Sequence, residues 1–210
     1  MRPVVAVDID GTLADYHGHF IRFMANYMGD HGAIFRGSVE MYDGEDNFRD
    51  YCAHLFKCDS AMYRQVKLAY RQGGMKRTMP ILNHAKWLMK KLDKWDAEIW
   101  VTTTRPYLSL DNVVPDTLHW LDKHQIAFDH MLFDEDKYAI LAERVEKERV
   151  IAILDDLPEM YDAASEAFGP EVPILVRGKF NTAVKRPNAA TLRHCGDIIL
   201  GRLADWDRDD

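Results

Sequence analysis

Five short apolar runs, Val4–Val7, Ile99–Val101, Met131–Phe133, Val150–Leu154 and Pro173–Val176, constrain this chain more than any other feature. Runs this short, without polar alternation, suit strands buried on both faces, as in a parallel sheet covered by helices. Helical patterns separate most of them. From Ile81 to Trp95, Ile81, Leu82, Ala85, Leu88, Met89, Leu92 and Trp95 recur with the helical period, while Lys86, Lys90, Lys91 and Lys94 fill the remainder. Pro115 ahead of Leu118 and Leu121, and Pro158 ahead of Met160, Ala163, Ala164 and Ala167, mark the first turns of two more helices. The fold class is therefore α/β, a doubly wound parallel sheet that gathers ligands at the carboxyl ends of its strands.

The stretch from Leu13 to Met79 breaks this alternation and contains no convincing strand. Phe20, Ile21, Met24, Tyr27 and Met28 form one helical stripe, and Phe48, Tyr51, Cys52, Leu55 and Phe56 a second. Met62, Tyr63, Val66, Ala69 and Tyr70 form a third, opened by Asp59 or Ser60 and closed by Gly73-Gly74. The reading is a small helical cap over residues 13–79, inserted into an α/β core of residues 1–12 and 80–210. The segment from Asp30 to Asp46 is too rich in Gly and charge to assign, and the tail Asp205–Asp210 is expected to fray.

With 210 residues, 47% of them hydrophobic, the chain can bury a core of ordinary size. Its net charge of −7 disfavours a generally basic surface for long duplex nucleic acid. Cys52, Cys58 and Cys195 lack Cys-x-x-Cys spacing, which suits reduced thiols rather than disulfides or a zinc site. No run approaches a membrane span, and the apolar start is too short for a signal segment, so a cytoplasmic protein is expected. Composition is equally compatible with a monomer or a homodimer.

The chemistry sits at the strand ends. The first run leads directly into Asp8-Ile9-Asp10-Gly11-Thr12, the second into Thr102, Thr103, Thr104 and Arg105-Pro106. The third is followed by Asp134, Glu135, Asp136 and Lys137, the fourth by Asp155 and Asp156. A parallel sheet brings these ends to one edge, where carboxylates, a hydroxyl and an ammonium converge. Hard carboxylate oxygens suit Mg2+, a cation and a lysine neutralise phosphate charge, and a carboxylate can act as nucleophile. The set fits phosphoryl transfer.

The run Asp8-Ile9-Asp10-Gly11-Thr12-Leu13-Ala14-Asp15 resembles the first motif of the haloacid dehalogenase superfamily, and the other strand ends resemble its remaining motifs in order. The resemblance implies a Rossmann-like core and an aspartyl-phosphate formed on Asp8. It makes Asp10 the acid and base, its backbone carbonyl helping to hold magnesium. Thr103-Thr104-Arg105-Pro106-Tyr107 resembles the second motif, so Thr103, or Thr104 where that motif carries Gly, would bind the phosphate. Lys137 matches the third-motif lysine, with Lys147 as a second candidate, and Asp156 beside Asp155 the acidic metal ligands of the fourth. Carrying both Asp8 and Asp10 separates phosphatases from the dehalogenase branch. Gly11, Thr12, Thr104, Arg105, Tyr16 and His17 are the expected substrate contacts, and Asp8, Asp10, Asp155 and Asp156 the expected metal set.

The cap position, and the likeness of Arg71-Gln72-Gly73-Gly74-Met75-Lys76-Arg77-Thr78-Met79-Pro80 to a cap-to-core return, resemble the deoxyribonucleotidase branch. A nucleoside monophosphate is then the first substrate class, its base stacked on Tyr16, Phe20, Tyr63 or Tyr70, although their spacing equally suits core packing. Between Ser60 and Trp95 nine cations, Arg64, Lys67, Arg71, Lys76, Arg77, Lys86, Lys90, Lys91 and Lys94, face one acid, Asp93; they could attract anions or simply coat helices. Arg105 and the run from Thr117 to His124 distantly resemble polynucleotide 3′-phosphatases, giving an end-repair alternative. His17 and His19 read as loop residues beside the substrate, with nothing near them to complete a zinc set. A non-catalytic binding protein, a phosphotransferase and a sugar phosphatase complete the alternatives. Each site residue also has a plain reading: Asp10-Gly11 as a turn, Thr102–Thr104 as strand, Asp155-Asp156 as the lead into a helix, Lys137 as surface.

Overall fold

The computed structural model describes residues 1–39, 48–104, 110–178, 181 and 190–209. All five expected strands form: β1 (Val4–Val7), β2 (Glu98–Thr103), β3 (His130–Phe133), β4 (Val150–Asp155) and β5 (Pro173–Leu175). They make one parallel sheet in the order β3-β2-β1-β4-β5. The chain builds β2 and β3 on one side of β1 and then crosses to β4 and β5 on the other, so the winding reverses beside β1. Crossovers diverge at such a point and leave a crevice above the strand end. Asp8 is the first residue after β1.

The covering helices are α1 (Tyr16–Met28), α2 (Gly32–Val39), α3 (Phe48–Phe56), α4 (Ser60–Gln72), α5 (Ala85–Lys94), α6 (Val113–Lys123), α7 (Lys137–Arg144), α8 (Pro158–Phe168) and α9 (Leu192–Asp209). Strand side chains alternate between two apolar layers. Val5, Val7, Ile99, Val101 and Leu154 pack with Leu88 and Leu92 of α5, Trp120 of α6 and Ile199 of α9. Val4, Ala6, Trp100 and Ile153 pack on the opposite side with Tyr138 and Leu141 of α7 and Ala164 and Phe168 of α8.

Asp59 caps α4, its Oδ1 accepting the Met62 amide at 2.8 Å, which decides between Asp59 and Ser60. Asp15 caps α1 in the same way through Gly18. Three expectations change. The periodic segment becomes helical at Ala85 and not at Ile81, because Ile81 bridges to Ala14 and His84 turns the chain at φ +66°. Tyr27 and Met62 lie on their stripes yet are exposed. The last helix continues through Asp209, so the tail is helical where fraying was expected. Within the unassigned segment, α2 is a helix, and residues 40–47 lie outside the described set.

The helical stretch after β1 begins and ends at one place. Ala14 and Ile81 form an antiparallel bridge, Asp15 N donates to Pro80 O at 2.8 Å, and Leu82 N donates to Leu13 O at 2.8 Å. Trp120 fastens the return from the core side, its Nε1 donating to Met79 O at 2.8 Å.

Candidate active site

Three carboxylates from two strand ends converge: oxygens of Asp8, Asp155 and Asp156 lie within 4.8 Å of one another, all buried. One ammonium reaches them from the start of α7. Lys137 Nζ donates to Asp8 Oδ1 at 2.6 Å and lies 2.7 Å from Asp155 Oδ2. Asp155 is fully engaged, since Tyr138 Oη also donates to Oδ2 at 2.6 Å and the Leu157 amide to Oδ1 at 3.0 Å. It thus fixes Lys137 and Tyr138 while standing within the carboxylate group that could hold a metal ion.

Burial disfavours ionised carboxylates. Asp8 is pushed up to about 7, chiefly by burial, against the pull of Lys137 and with repulsion from Asp155 and Asp10. Burial and the charges of Asp155 and Asp8 hold Asp156 well above the usual carboxylate range. Burial opposes the charge on Lys137, but Asp155 and Asp8 outweigh it and raise that group well above an ordinary lysine. Ionised together, three carboxylates would exceed the one ammonium by two negative charges, which a divalent cation would compensate. An all-oxygen donor set of this charge fits magnesium.

The turn after Asp8 is shaped around Asp156. Gly11 sits at φ +92°, and a Cβ there would lie 2.0 Å from Asp156 Oδ2. Thr12 Oγ1 is 3.5 Å from Asp156 Oδ1, and Asn181 Nδ2 donates to Asp156 O at 2.7 Å. Gly11 and Thr12, expected to contact substrate, both lie against Asp156. Gly11→Ala adds left-handed backbone strain of about 1–2 kcal/mol and displaces Asp156. The expected result is a lower Tm, and a smaller response of Tm to added magnesium than in the parent chain, read by thermal unfolding with and without the ion.

Above the cluster, Lys76 is buried and bonds Asp10 Oδ2, with its Nζ 4.1 Å from the centre of the Tyr16 ring. It follows Gly74, which takes φ +68° to turn the chain back from α4. Asn112 Nδ2, donating to Arg71 O and Asp116 Oδ2 at 2.7 Å each, holds that end of α4 against α6. Reading the cations as one surface run hid Lys76 and Arg71; both are buried, whereas Arg64, Arg77, Lys90 and Lys94 are exposed as solvated helix faces should be. Gly73-Gly74 marks a reversal of the chain but not which of its neighbours turn inward.

A cavity of about 220 Å³ opens over Asp8 and Asp10, lined by Tyr16, His17, Phe48, Arg49, Tyr63, Lys67, Arg71, Thr104, Leu157 and Glu159. Tyr16 and Tyr63 border it, whereas Phe20 and Tyr70 are fully buried and belong to the core. Thr103 ends β2 with its Oγ1 buried and without a hydrogen-bond partner among the described residues, while Thr104 is half-buried on the cavity wall. Arg105 lies outside the described residues. Lys147 precedes β4, at the opposite edge of the sheet from the site. His17 and His19 stand on α1 and not in a loop. His17 Nε2 is 4.0 Å from Asp156 Oδ2, and burial lowers its pKa to about 4, so it is neutral at pH 7. His19 Nδ1 pairs with Tyr70 Oη at 2.7 Å. In the run from Thr117 to His124, Thr117, Trp120 and Leu121 are buried in α6 and none lines the cavity.

No family model matches the sequence, and no curated protein matches it significantly. Solved structures do match. A haloacid dehalogenase-like hydrolase from Burkholderia xenovorans aligns over 97% of this chain and 99% of its own at a TM-score of 0.61 and 12% identity. A Thermotoga maritima protein carrying the name β-phosphoglucomutase aligns over 96% and 99% at 0.60 and 14% identity. The fold is that of the haloacid dehalogenase-like hydrolases. CbbY from Rhodobacter sphaeroides, solved in complex with phosphate, shares it over 91% and 93% at 0.58 and 15% identity.

Proposed function

We propose that the protein is a magnesium-dependent phosphomonoester hydrolase working through an aspartyl-phosphate, with nucleoside monophosphates as its first substrate class. The observation that carries this reading is Asp8, fixed by Lys137 beside Asp156 at the reversal of the sheet and opening into a cavity with aromatic walls. The hydrolases sharing the fold support it at the level of reaction class. Residues 1–12 and 80–210 would form the catalytic core, and residues 13–79 the cap that contains the substrate.

Lys137 holds Asp8 Oδ1, orienting the carboxylate and offsetting charge on an arriving phosphate. A carboxylate oxygen of Asp8 bonds to phosphorus as the ester P–O bond breaks. Asp10 gives a proton to the departing oxygen, then takes one from the water that attacks phosphorus and frees Asp8 and inorganic phosphate. With Lys76 on Oδ2, the proton that Asp10 gives is carried on its other oxygen, Oδ1. Thr103 offers its buried hydroxyl to a phosphate oxygen. Bound magnesium, which Asp8, Asp156 and the Asp10 backbone carbonyl would hold, supplies charge neutralisation at the phosphoryl oxygens.

The test is phosphate release, with and without magnesium, from nucleoside 5′- and 3′-monophosphates, 3′-phosphorylated oligonucleotides and sugar phosphates. Magnesium-dependent release, greatest from a mononucleotide, is expected. Greatest release from the oligonucleotide would replace the nucleotidase reading with end repair, and no release from any of them would overturn the hydrolase.

A further inference from the structure

Asp156 is held in place from two directions. A Cβ on Gly11 would meet its Oδ2 at 2.0 Å, His17 Nε2 lies 4.0 Å from the same oxygen, and Thr12 Oγ1 is 3.5 Å from Oδ1. Its backbone is held from behind the site. β4 and β5 share their last rung at Val176 N and Asp155 O, 2.8 Å apart. Beyond that rung the strands end, and one side chain takes up the carbonyls that follow. Asn181 Nδ2 donates to Asp156 O at 2.7 Å and to Val176 O at 2.9 Å. Oδ1 of the same amide accepts the Gly178 N–H at 2.8 Å. Turned over, the amide would set its oxygen against two carbonyl oxygens, so its orientation is fixed. Asn181 is buried and stands outside the lining of the cavity over Asp8; it meets the acidic cluster through Asp156.

We infer that Asn181 is a positioning residue of the metal site, fixing Asp156 closely enough that the site prefers magnesium to calcium. This rests on the magnesium-dependent reading and adds to it the residue that enforces the choice of ion. Magnesium demands near-octahedral geometry with oxygens at about 2.0–2.1 Å, whereas calcium accepts about 2.3–2.6 Å and irregular sets. A carboxylate whose backbone is tethered by a buried amide has little room to drift to the longer distance, and Gly11 and Thr12 close its other sides. Cutting the tether takes a donor from two carbonyls and lets the Asp156 peptide shift, which costs the stricter ion more.

The experiment titrates magnesium and calcium calorimetrically into the full chain and into Asn181→Ala, with thermal unfolding of both in the absence of either ion. Asn181→Ala should bind magnesium about 10-fold or more weakly, the scale on which groups behind a metal ligand act. Calcium should lose clearly less, so the preference for magnesium falls. Asn181→Ser, whose shorter side chain cannot span both carbonyls, is the second variant should the alanine chain fail to fold, and the same fall in preference is expected. A lower Tm with both affinities unchanged would make Asn181 a structural residue and overturn the inference, as would equal weakening of the two ions or a parent chain that favours calcium. The parent chain also separates this inference from the reading beneath it. Magnesium binding in the parent with an unaltered preference in the variants removes the role of Asn181 and leaves the magnesium-dependent hydrolase standing; no magnesium binding in the parent overturns both.

Discussion

Asp8→Asn removes turnover and leaves the fold intact. The loss should be at least about 10³-fold, because Asn has no anionic oxygen with which to displace an alkoxide from phosphorus. Stability is expected to hold or rise. Asn occupies nearly the same volume, Lys137 keeps Asp155 at 2.7 Å, and one of three mutually repelling buried carboxylates disappears. Phosphate release and thermal unfolding, measured on the same preparation, check both halves. Undiminished magnesium-dependent turnover would sink the covalent mechanism, and a collapsed fold would show that Asp8 has a structural task beyond the site.

Lys137→Met should damage both activity and stability, in contrast to Asp8→Asn. Lys137 is 1% exposed and is the ammonium that bridges Asp8 and Asp155. Methionine fits the space but leaves the two acids facing each other without a countercharge. Removing one partner of a buried ion pair costs about 3–5 kcal/mol. Urea unfolding without magnesium should register that loss, and magnesium should recover part of it by binding a more negative cluster. Equal stability of the variant and the parent chain would mean that the ammonium balances no charge at this cluster.

The sheet was legible because each strand holds a short apolar run, fully buried in β1 and β5 and nearly so in β2 and β4. Asp8, Asp155, Asp156 and Lys137 were legible because a parallel sheet carries every strand end to one edge. Other features depend on contacts between distant segments. Nothing local in Arg71-Gln72-Gly73-Gly74-Met75-Lys76 says that both cations turn inward, since burial there is decided by how α6 and α1 pack against the return segment. Gly11 reads as a turn glycine in sequence. In space its missing side chain makes room for Asp156, a carboxylate just after a strand far along the chain.

The bridge between Ala14 and Ile81 makes entrance and exit of the insertion a single doorway. Whatever its contour length, the sheet experiences everything between those residues as a tight loop closed at its base. Closure entropy changes only slowly with loop length, so helices beyond the doorway can be lengthened, exchanged or rebuilt at little cost to the strands. Change beyond the doorway thus leaves untouched the strand ends that carry the acid cluster.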